Sequence, residues 1–183
     1  MTANGAISKS HPARARAQTA MAKTEYVIEP GKQEITITRS FDAPRELVFK
    51  AFTDPKLVAQ WFGPRQYSTT VDKMDVRPGG LWRFVQRDEN GNEFAFHGVH
   101  HDVVAPERIV ATFEFEGVPG HVLLQTVTFE PLGEKTTLVE HLVYQSVADR
   151  DGMVASGMQE GSDESMDRLA EILAELLKVR PAR

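Results

Sequence analysis

Histidine side chains are the first candidates for metal binding or acid–base chemistry in this sequence. His97, His100 and His101 lie within five positions of one another. Neighbouring side chains of a strand point to opposite faces, so His100 and His101 cannot bind the same ion. His97 and His101 share a face but lie roughly 13 Å apart, whereas a zinc ligand lies about 2 Å from its ion. We therefore predict no metal site and no cofactor, and retain His100 as a polar side chain for an interior cavity.

Carboxylates on strands are the other candidates for general acid–base catalysis. They are Glu114, Glu130 and Glu140, with His141 beside the last of these. Glu114 lies opposite the more apolar face of its strand, which predicts an outward side chain. Glu140 shares its face with leucine and tyrosine side chains and could point inward, although a solvated or edge-paired glutamate is the commoner case. No nucleophile triad, phosphate loop or dinucleotide fingerprint is present, so we predict no catalytic residue and a binding protein rather than an enzyme.

Aromatic side chains are the remaining signal. Trp61 and Phe62 stand apart because they end a predicted helix, directly before Gly63 and Pro64. An aromatic pair at such a position can gate a cavity or stack on a flat ligand. The residues predicted to contact a ligand are Trp61, Phe62, Trp82, Phe84, Phe96, His100, Phe113, Phe115, Met158 and Ser162.

Composition restricts the class of protein and its partners. A chain of 183 residues with 41% hydrophobic residues is large enough to bury a core. A formal net charge of -5 argues against sequence-independent binding of nucleic acid, which needs a basic face. No apolar run approaches the ~20 residues of a membrane helix. The absence of cysteine excludes disulfides and thiolate chemistry, and it is consistent with the cytoplasmic location that we predict.

The N-terminal stretch differs from the rest of the chain. Residues 1–30 begin with a segment rich in Ala, Ser and Thr that has almost no large apolar side chain. Such a segment gains too little from burial to offset the entropy of ordering, so we predict disorder there and one domain over residues 31–180. An alternative is that the native chain starts at Met21, with residues 1–20 as an upstream extension.

A long amphipathic helix is predicted from Ser156 to Leu177. From Met166 onward its apolar residues recur at i, i+3, i+4, i+7, i+10 and i+11, the stripe of one helix face. Ser156 and Gln159 resemble a capping box, and Pro181 stands just past the end. A helix with one apolar face needs a large apolar surface to lie on.

An antiparallel sheet is the predicted partner of this helix. A strand over 34–41 precedes two short helices that start at Pro44 and at Asp54-Pro55. Period-two alternation then predicts strands near 67–76, 80–87, 93–104, 107–116, 121–130 and 135–146. The short turns between them, such as Asn90-Gly91, force antiparallel neighbours. We therefore predict an α+β fold in which a curled seven-stranded antiparallel sheet grips the long C-terminal helix on its concave face, with gaps that bind small hydrophobic molecules.

Several motifs in this order resemble one known family. They include Arg39-Ser40-Phe41-Asp42-Ala43-Pro44, Trp61-Phe62-Gly63-Pro64, Arg77-Pro78-Gly79-Gly80, Trp82-Arg83-Phe84, Phe96-His97-Gly98-Val99 and Gly157-Met158-Gln159-Glu160-Gly161. The chain is thereby similar to the heat-shock-protein-90 ATPase activator-like family of the START-like (SRPBCC) superfamily, from about Glu34 to Leu177. The resemblance implies a helix-grip fold, also described as START-like or birch-pollen-allergen-like, with an internal cavity.

Three function classes follow from the pattern and the resemblance. The first is a small module that holds a hydrophobic, lipid-like or aromatic molecule between sheet and helix, with stress response as one setting for it. The second is an enzyme of the cyclase, aromatase or hydrolase kind, which some START-like relatives are. The third is an interaction protein that contacts a chaperone or a second copy of itself. We predict the first, because the residues before the first strand are too few and too polar to form the separate chaperone-gripping module of the family's named members.

Overall fold

Eight strands and four helices make up the fold in the computed structural model, which describes residues 22–179. The strands are β1 (Glu25–Val27), β2 (Glu34–Phe41), β3 (Ser68–Met74), β4 (Leu81–Arg87), β5 (Glu93–Val104), β6 (Arg108–Phe115), β7 (Leu123–Leu132) and β8 (Lys135–Val143). The helices are α1 (Arg45–Thr53), α2 (Pro55–Trp61), α3 (Val147–Ala155) and α4 (Met158–Val179). The strands form one antiparallel sheet in the order β1-β2-β8-β7-β6-β5-β4-β3. The α+β class, the meander and the long C-terminal helix are confirmed.

The strand count is eight and not the predicted seven. The additional strand, β1, pairs with β2 so that Tyr26 lies opposite Ile37. Just before it, the buried Thr24 accepts a hydrogen bond from Arg39. The prediction of disorder over residues 1–30 therefore does not hold for these residues, because an available strand edge orders a segment that cannot bury a core of its own. Residues 1–21 of that stretch, including Met21, lie outside the described residues.

The long helix begins two residues later than predicted and is preceded by a helix that the pattern did not indicate. Ser156 is the C-cap of α3, and its hydroxyl donates to the carbonyl of Met153 at 2.7 Å. The expected capping box with Gln159 is therefore wrong. Gly157 follows with φ of +83°, a left-handed conformation that ends one helix before the next starts. α3 escaped the pattern analysis because it is short and the run Asp149-Arg150-Asp151-Gly152 interrupts its apolar residues.

Alternation along the strands divides the sheet into a buried and a solvent-facing side. On β2 and β8 every second side chain is buried, including Ile35, Ile37, Leu138 and Leu142. α4 lies against this concave side and buries one side of its second half through Met166, Leu169 and Leu173. The predicted grip of the sheet on the helix is thus present.

The two short helices close one end of the concave side. Asp54 caps α2 by accepting a hydrogen bond from the backbone N–H of Lys56 at 2.9 Å, and Pro55 occupies the first turn. This start was predicted from the Asp-Pro pair. α2 contacts α1, β3 and α4. Among the helices of residues 22–179, none has the length and apolar character that a membrane crossing requires.

Candidate functional site

A buried carboxylate lies on the concave side of the sheet. Glu140 of β8 faces inward between Leu138 and Leu142 and is only 7% exposed. Its Oε2 accepts a hydrogen bond from Nε2 of Gln125, on the neighbouring strand β7, at 3.0 Å. Burial raises the pKa of Glu140 to about 7, against the lowering effect of this hydrogen bond. A carboxyl group of this kind exchanges its proton near neutral pH.

Two further buried polar groups share this side of the sheet. The hydroxyl of Tyr144, at the end of β8, has no hydrogen-bond partner among the described residues. The same holds for Nδ1 of His100, on β5. Both residues are at most 6% exposed. We call Glu140, Gln125, Tyr144 and His100 the concave polar cluster.

Strand register relates the members of the concave polar cluster. His100 lies opposite Ala111 of β6, and Ala111 lies opposite Gln125 of β7. His100 and Gln125 are therefore separated by two strand spacings, about 10 Å. The residue between them has one of the smallest side chains on the concave side. His100 and Gln125 thus lie on either side of Ala111, whose small side chain leaves the apolar surface of the sheet shallow at this position.

Burial changes the acid–base properties of both unpartnered groups. It raises the pKa of Tyr144 to about 12; the Arg150 guanidinium acts against this rise and the Glu140 carboxylate adds to it. Burial lowers the pKa of His100, although backbone carbonyls of Gly80 and Asp75 favour the protonated ring. Both side chains are therefore uncharged around neutral pH and available for hydrogen bonds.

The first half of α4 covers the cluster. Met158 packs against the apolar residues around Tyr144. Ser162 is half-buried and lies beside Tyr26 of β1, whose hydroxyl also donates to the carbonyl of Gln159 at 3.1 Å. Burial raises the pKa of Tyr26 to about 12, and the charge of Glu140 contributes to that rise. Of the α4 residues predicted from sequence, Met158 therefore lies beside the apolar residues around Tyr144 and Ser162 lies beside Tyr26.

Six aromatic side chains form a continuous group beside the cluster. They are Phe62, Trp82, Phe84, Phe96, Phe113 and Phe115, which we call the aromatic group. Ring centroids of its neighbouring members lie 4.8–6.0 Å apart in edge-to-face or tilted arrangements, the geometry that aromatic pairs prefer. Phe113 also packs against the apolar residues around Tyr144. The aromatic group and the concave polar cluster are thus contiguous, and four of the six rings are only half-buried.

Trp61 has a different role from its neighbour Phe62. It is 6% exposed and belongs to the main core with Leu169. Its indole N–H donates to the carbonyl of Ala51 at 2.9 Å, which ties α2 to α1. Phe62, the C-cap of α2, turns instead toward Phe84. The predicted Trp61–Phe62 pair is therefore divided between the core and the aromatic group.

The predicted internal cavity is not confirmed. Concavities of the described surface include the following two. One, of about 270 Å³, lies between Leu57 of α2 and Leu176 of α4. The other, of about 260 Å³, lies between Thr24 and Asp167. Neither is lined by any of the ten residues predicted to contact a ligand.

The remaining acid–base candidates lie on the outer side of the sheet. His97 bridges Glu114 and Glu116, each at 3.2 Å, and Glu114 accepts a hydrogen bond from the backbone of Gly120. The outward position predicted for Glu114 is confirmed. His101 is exposed. These residues stabilise the outer side of the sheet and contribute nothing to the concave polar cluster.

Three members of the concave polar cluster were missed as site residues. For Glu140 an inward position was considered but a solvated or edge-paired one was favoured, whereas the side chain is buried. Gln125 and Tyr144 were not singled out. The available signal was a polar residue at an inward position of an otherwise apolar alternating strand, as in Leu123-Leu124-Gln125-Thr126-Val127. Alternation alone shows which residues share a face, but burial of a polar side chain depends on which residues the neighbouring strands and α4 place beside it.

The comparisons with known proteins agree on one family. The family model described as "Activator of Hsp90 ATPase homolog 1-like protein" matches residues 42–174. No curated protein sequence gives a match. A protein from Rhodobacter sphaeroides of known structure is similar at 26% identity, covering 82% of this chain and 99% of its own, with a TM-score of 0.76. A protein from Chromobacterium violaceum has 28% identity, covers 77% and 96%, and has a TM-score of 0.66. A protein from Arthrobacter aurescens, at 22% identity and covering 82% and 91%, shares the fold with a TM-score of 0.77.

Proposed function

The chain belongs to the Activator of Hsp90 ATPase homolog 1-like protein family, and from that premise we propose that it binds a hydrophobic small molecule, aromatic or lipid-like, between the sheet and α4. The observation that carries the proposal is a set of buried polar atoms on the concave side that have no partner among the described residues: the Tyr144 hydroxyl, His100 Nδ1 and Arg39 Nε. A buried polar group left unpaired costs about 1–3 kcal/mol. Such groups at the edge of an apolar surface are typical of sites that orient a ligand.

The aromatic group supports the same function. Its half-buried rings, among them Phe96 and Phe113, border the concave polar cluster. Half-buried aromatic rings gain free energy when a ligand removes their remaining surface from water, about 25 cal/mol per Å². Met158 covers this region from α4, and an unbranched thioether adapts to differently shaped guests.

Binding requires the first half of α4 to move away from the sheet more readily than the second half does. The second half is fixed by Leu169 and Leu173, which are nearly fully buried. The first half presents Met158 and Ser162 to the sheet, follows Gly157 and contains Gly161. Fewer buried apolar contacts lower the free energy of local opening. A ligand would therefore enter beside the α3–α4 junction.

Native mass spectrometry of protein purified without denaturation is the direct test of binding. We expect an added mass, or a saturable 1:1 complex with at least one compound from a panel of fatty acids and fused-ring aromatics. Phe113→Ala should weaken that complex, whereas Phe49→Ala, which removes a core ring on α1, serves as the matched control for lost aromatic volume. Absence of any bound mass and of saturable binding across the panel would overturn the proposal.

A catalytic function is the second candidate, and one observation favours it. Glu140 combines burial with a pKa raised to about 7, the property of a general acid or base. Turnover of any ligand found in the panel experiment, lost in Glu140→Gln while binding persists, would establish it. The activator role named in the family's description would use an outer surface, so a chaperone pull-down should be unaffected by Glu140→Gln.

A further inference from the structure

Residues 24–29, which include β1, contact both α3 and the start of α4, and we call them the strap. Alternate side chains of the strap point inward, as expected along an extended segment. Thr24 is buried, and Tyr26 and Ile28 are half-buried. Tyr26 and Ile28 pack against the same buried apolar cluster as Met158 of α4. The strap and the start of α4 therefore share one apolar surface.

The Tyr26 hydroxyl joins the strap to the start of α4. It lies 3.1 Å from the carbonyl oxygen of Gln159 and 3.0 Å from Oδ1 of Asp163, and both oxygens can accept its proton. Gln159 and Asp163 are four residues apart and therefore lie on one side of the helix. Ser162, next to Asp163, also hydrogen-bonds with this hydroxyl. One side chain of the strap thus contacts the first two turns of α4.

Two buried guanidinium groups hold the ends of the strap. Nη1 of Arg39, on β2, donates to the hydroxyl of Thr24 at 3.1 Å. Nη1 of Arg150, on α3, donates to the carbonyl oxygen of Glu29 at 3.0 Å. Both arginine side chains are only 3% exposed. The strap is therefore tied to β2 and α3 at its ends and to α4 in between.

The middle of α4 is held by a different segment, the loop between α2 and β3. The backbone N–H of Gly63 donates to Oγ of Ser165 at 3.1 Å. The carbonyl oxygen of Gly63 accepts a hydrogen bond from Nη1 of Arg168 at 2.6 Å. Tyr26, by contrast, contacts the helix before this point. Residues 158–163 can therefore move without breaking the contacts that hold the rest of α4.

The strap is attached to the sheet only through a short edge strand. β1 has three residues and pairs with β2 at the edge of the sheet. β2 pairs along all of its eight residues with β8 on its other side. Short edge segments with few buried contacts open at low free energy. The strap can therefore leave β2 while β2 stays in the sheet.

We infer that the strap is a latch that holds residues 158–163 of α4 closed over the concave polar cluster. When the Tyr26 hydroxyl loses its contacts with Gln159 and Asp163, these residues move outward about the fixed part of the helix, and the cluster opens to solvent. The inference deepens the proposed function, because the same opening would admit the ligand, and that step rests on the proposed function. The opening itself requires no ligand.

Hydrogen–deuterium exchange of the full chain tests the latch without a ligand. One hydrogen bond contributes roughly a factor of ten to an opening equilibrium. Tyr26→Phe should therefore raise the exchange rate of a peptide covering residues 158–163 by up to roughly tenfold and leave residues 166–177 unchanged. Tyr67→Phe is the matched control, because it removes the same hydroxyl at the opposite edge of the sheet, where Tyr67 packs on Phe94. It should change neither peptide.

A covalent bond across the latch gives the opposite effect and does not depend on how well Tyr26→Phe folds. The chain has no cysteine, so Tyr26→Cys combined with Asp163→Cys can be joined specifically by a short bis-maleimide. The joined protein should exchange more slowly over residues 158–163 than the same variant capped with N-ethylmaleimide. Both proteins carry the same substitutions, so the difference reports the bond alone.

Ligand entry is measured with N-phenyl-1-naphthylamine, an uncharged fused-ring aromatic probe whose fluorescence rises in apolar sites. Stopped-flow mixing should show association several-fold faster in Tyr26→Phe than in the wild type, and slower in the joined variant than in the capped one. Tyr67→Phe should associate at the wild-type rate.

The outcomes distinguish the latch from the proposed function. Exchange over residues 158–163 that is the same in Tyr26→Phe and Tyr67→Phe, and the same in the joined and capped proteins, would overturn the latch and leave the proposed function intact. The expected exchange differences without binding of any aromatic or fatty acid would support the latch, while the proposed function fails. Binding at one rate in all variants would show that the ligand does not enter past the strap, which overturns the inference as a device for ligand entry.

Discussion

Gln125 on β7 and Glu140 on β8 lie diagonally across the two strands, offset by two residues in register, with Gln125 Nε2 donating to Glu140 Oε2 at 3.0 Å. Glu140 is buried and Gln125 is half-buried, and the neighbouring positions, including Val127 and Leu142, are apolar. An amide partner, unlike an arginine, satisfies the carboxyl group without stabilising its charge strongly. The pair therefore places on the concave side a carboxyl group whose pKa is about 7.

The stability of the protein should fall as the pH rises through this region. Glu140 has a pKa of about 7 in the folded protein, above its ordinary value in an unfolded chain. Its contribution is therefore fully present below pH ~4.5 and is lost as pH rises toward and past 7, a change of about 3 kcal/mol. Urea unfolding at pH 5 and pH 8 should show that Glu140→Gln removes most of this fall.

The matched control for that experiment is Glu130→Gln, which makes the same change at an exposed position of β7. Its pH dependence should equal that of the wild type. If the two variants and the wild type lose stability in parallel between pH 5 and pH 8, Glu140 is not protonated in the folded protein and its assigned role is wrong.

Much of the architecture was predictable because it depends on local patterns. The seven strands from β2 to β8 follow from period-two alternation and short turns, and α2 follows from the cap at Asp54. β1 was missed because its sequence carries no pattern of its own and is ordered by the edge of β2. α3 was missed for a related reason: its short sequence, interrupted by Asp149-Arg150-Asp151-Gly152, is held by the cap at Ser146 and by contacts with α4 and β2.

The candidate site was predictable only in part. The aromatic group and His100 emerged from alternation, since they share one face of their strands. Glu140 could not be distinguished from a solvated glutamate, because its burial depends on β2, β7 and α4 together. Trp61 could not be separated from Phe62, since the hydrogen bond to Ala51 arises from the packing of two helices.

A methyl group added at Gly98 should disrupt the aromatic group. The Cβ would lie 1.8 Å from the carbonyl oxygen of Thr112 and 2.7 Å from the indole nitrogen of Trp82. Because backbone must shift to relieve the first contact, Gly98→Ala should destabilise the protein by about 3 kcal/mol and shift the tryptophan fluorescence. Gly152→Ala in α3, where a Cβ meets open space, should instead be neutral or stabilising by up to ~1 kcal/mol. Equal melting temperatures for the two variants would contradict this packing.

The ion pair between Arg39 and Asp167 anchors the middle of α4 to the sheet. Arg39 is buried, whereas the side chain of Asp167 is 39% exposed. Asp167→Asn should therefore cost about 2 kcal/mol, between the values for surface and for buried pairs. Glu175→Gln, which breaks the exposed pair with Lys178, is the control and should cost less than about 0.5 kcal/mol. Chemical denaturation of both variants checks the difference, and equal losses would show that the buried guanidinium does not depend on Asp167.

Substitution of Leu169 tests how tightly the second half of α4 packs against the sheet. Leu169 is fully buried in the main core, so Leu169→Ala should lower the free energy of unfolding by about 3 kcal/mol and Leu169→Asp should prevent folding. Leu132→Ala, at a position 61% exposed on β7, should change it by less than about 0.5 kcal/mol. A small effect of Leu169→Ala on thermal unfolding would mean that α4 does not pack against the core through Leu169.

The most direct test of the central claim is a titration of isotope-labelled protein with a fused-ring aromatic compound such as naphthalene, followed by NMR chemical shifts. The account predicts that the side-chain amide of Gln125, the ring of His100 and the backbone around Ser162 shift together and saturate, whereas His97 and His101 on the outer side do not. Shifts confined to the outer side, or to the groove between Leu57 and Leu176, or no shifts at all, would contradict it.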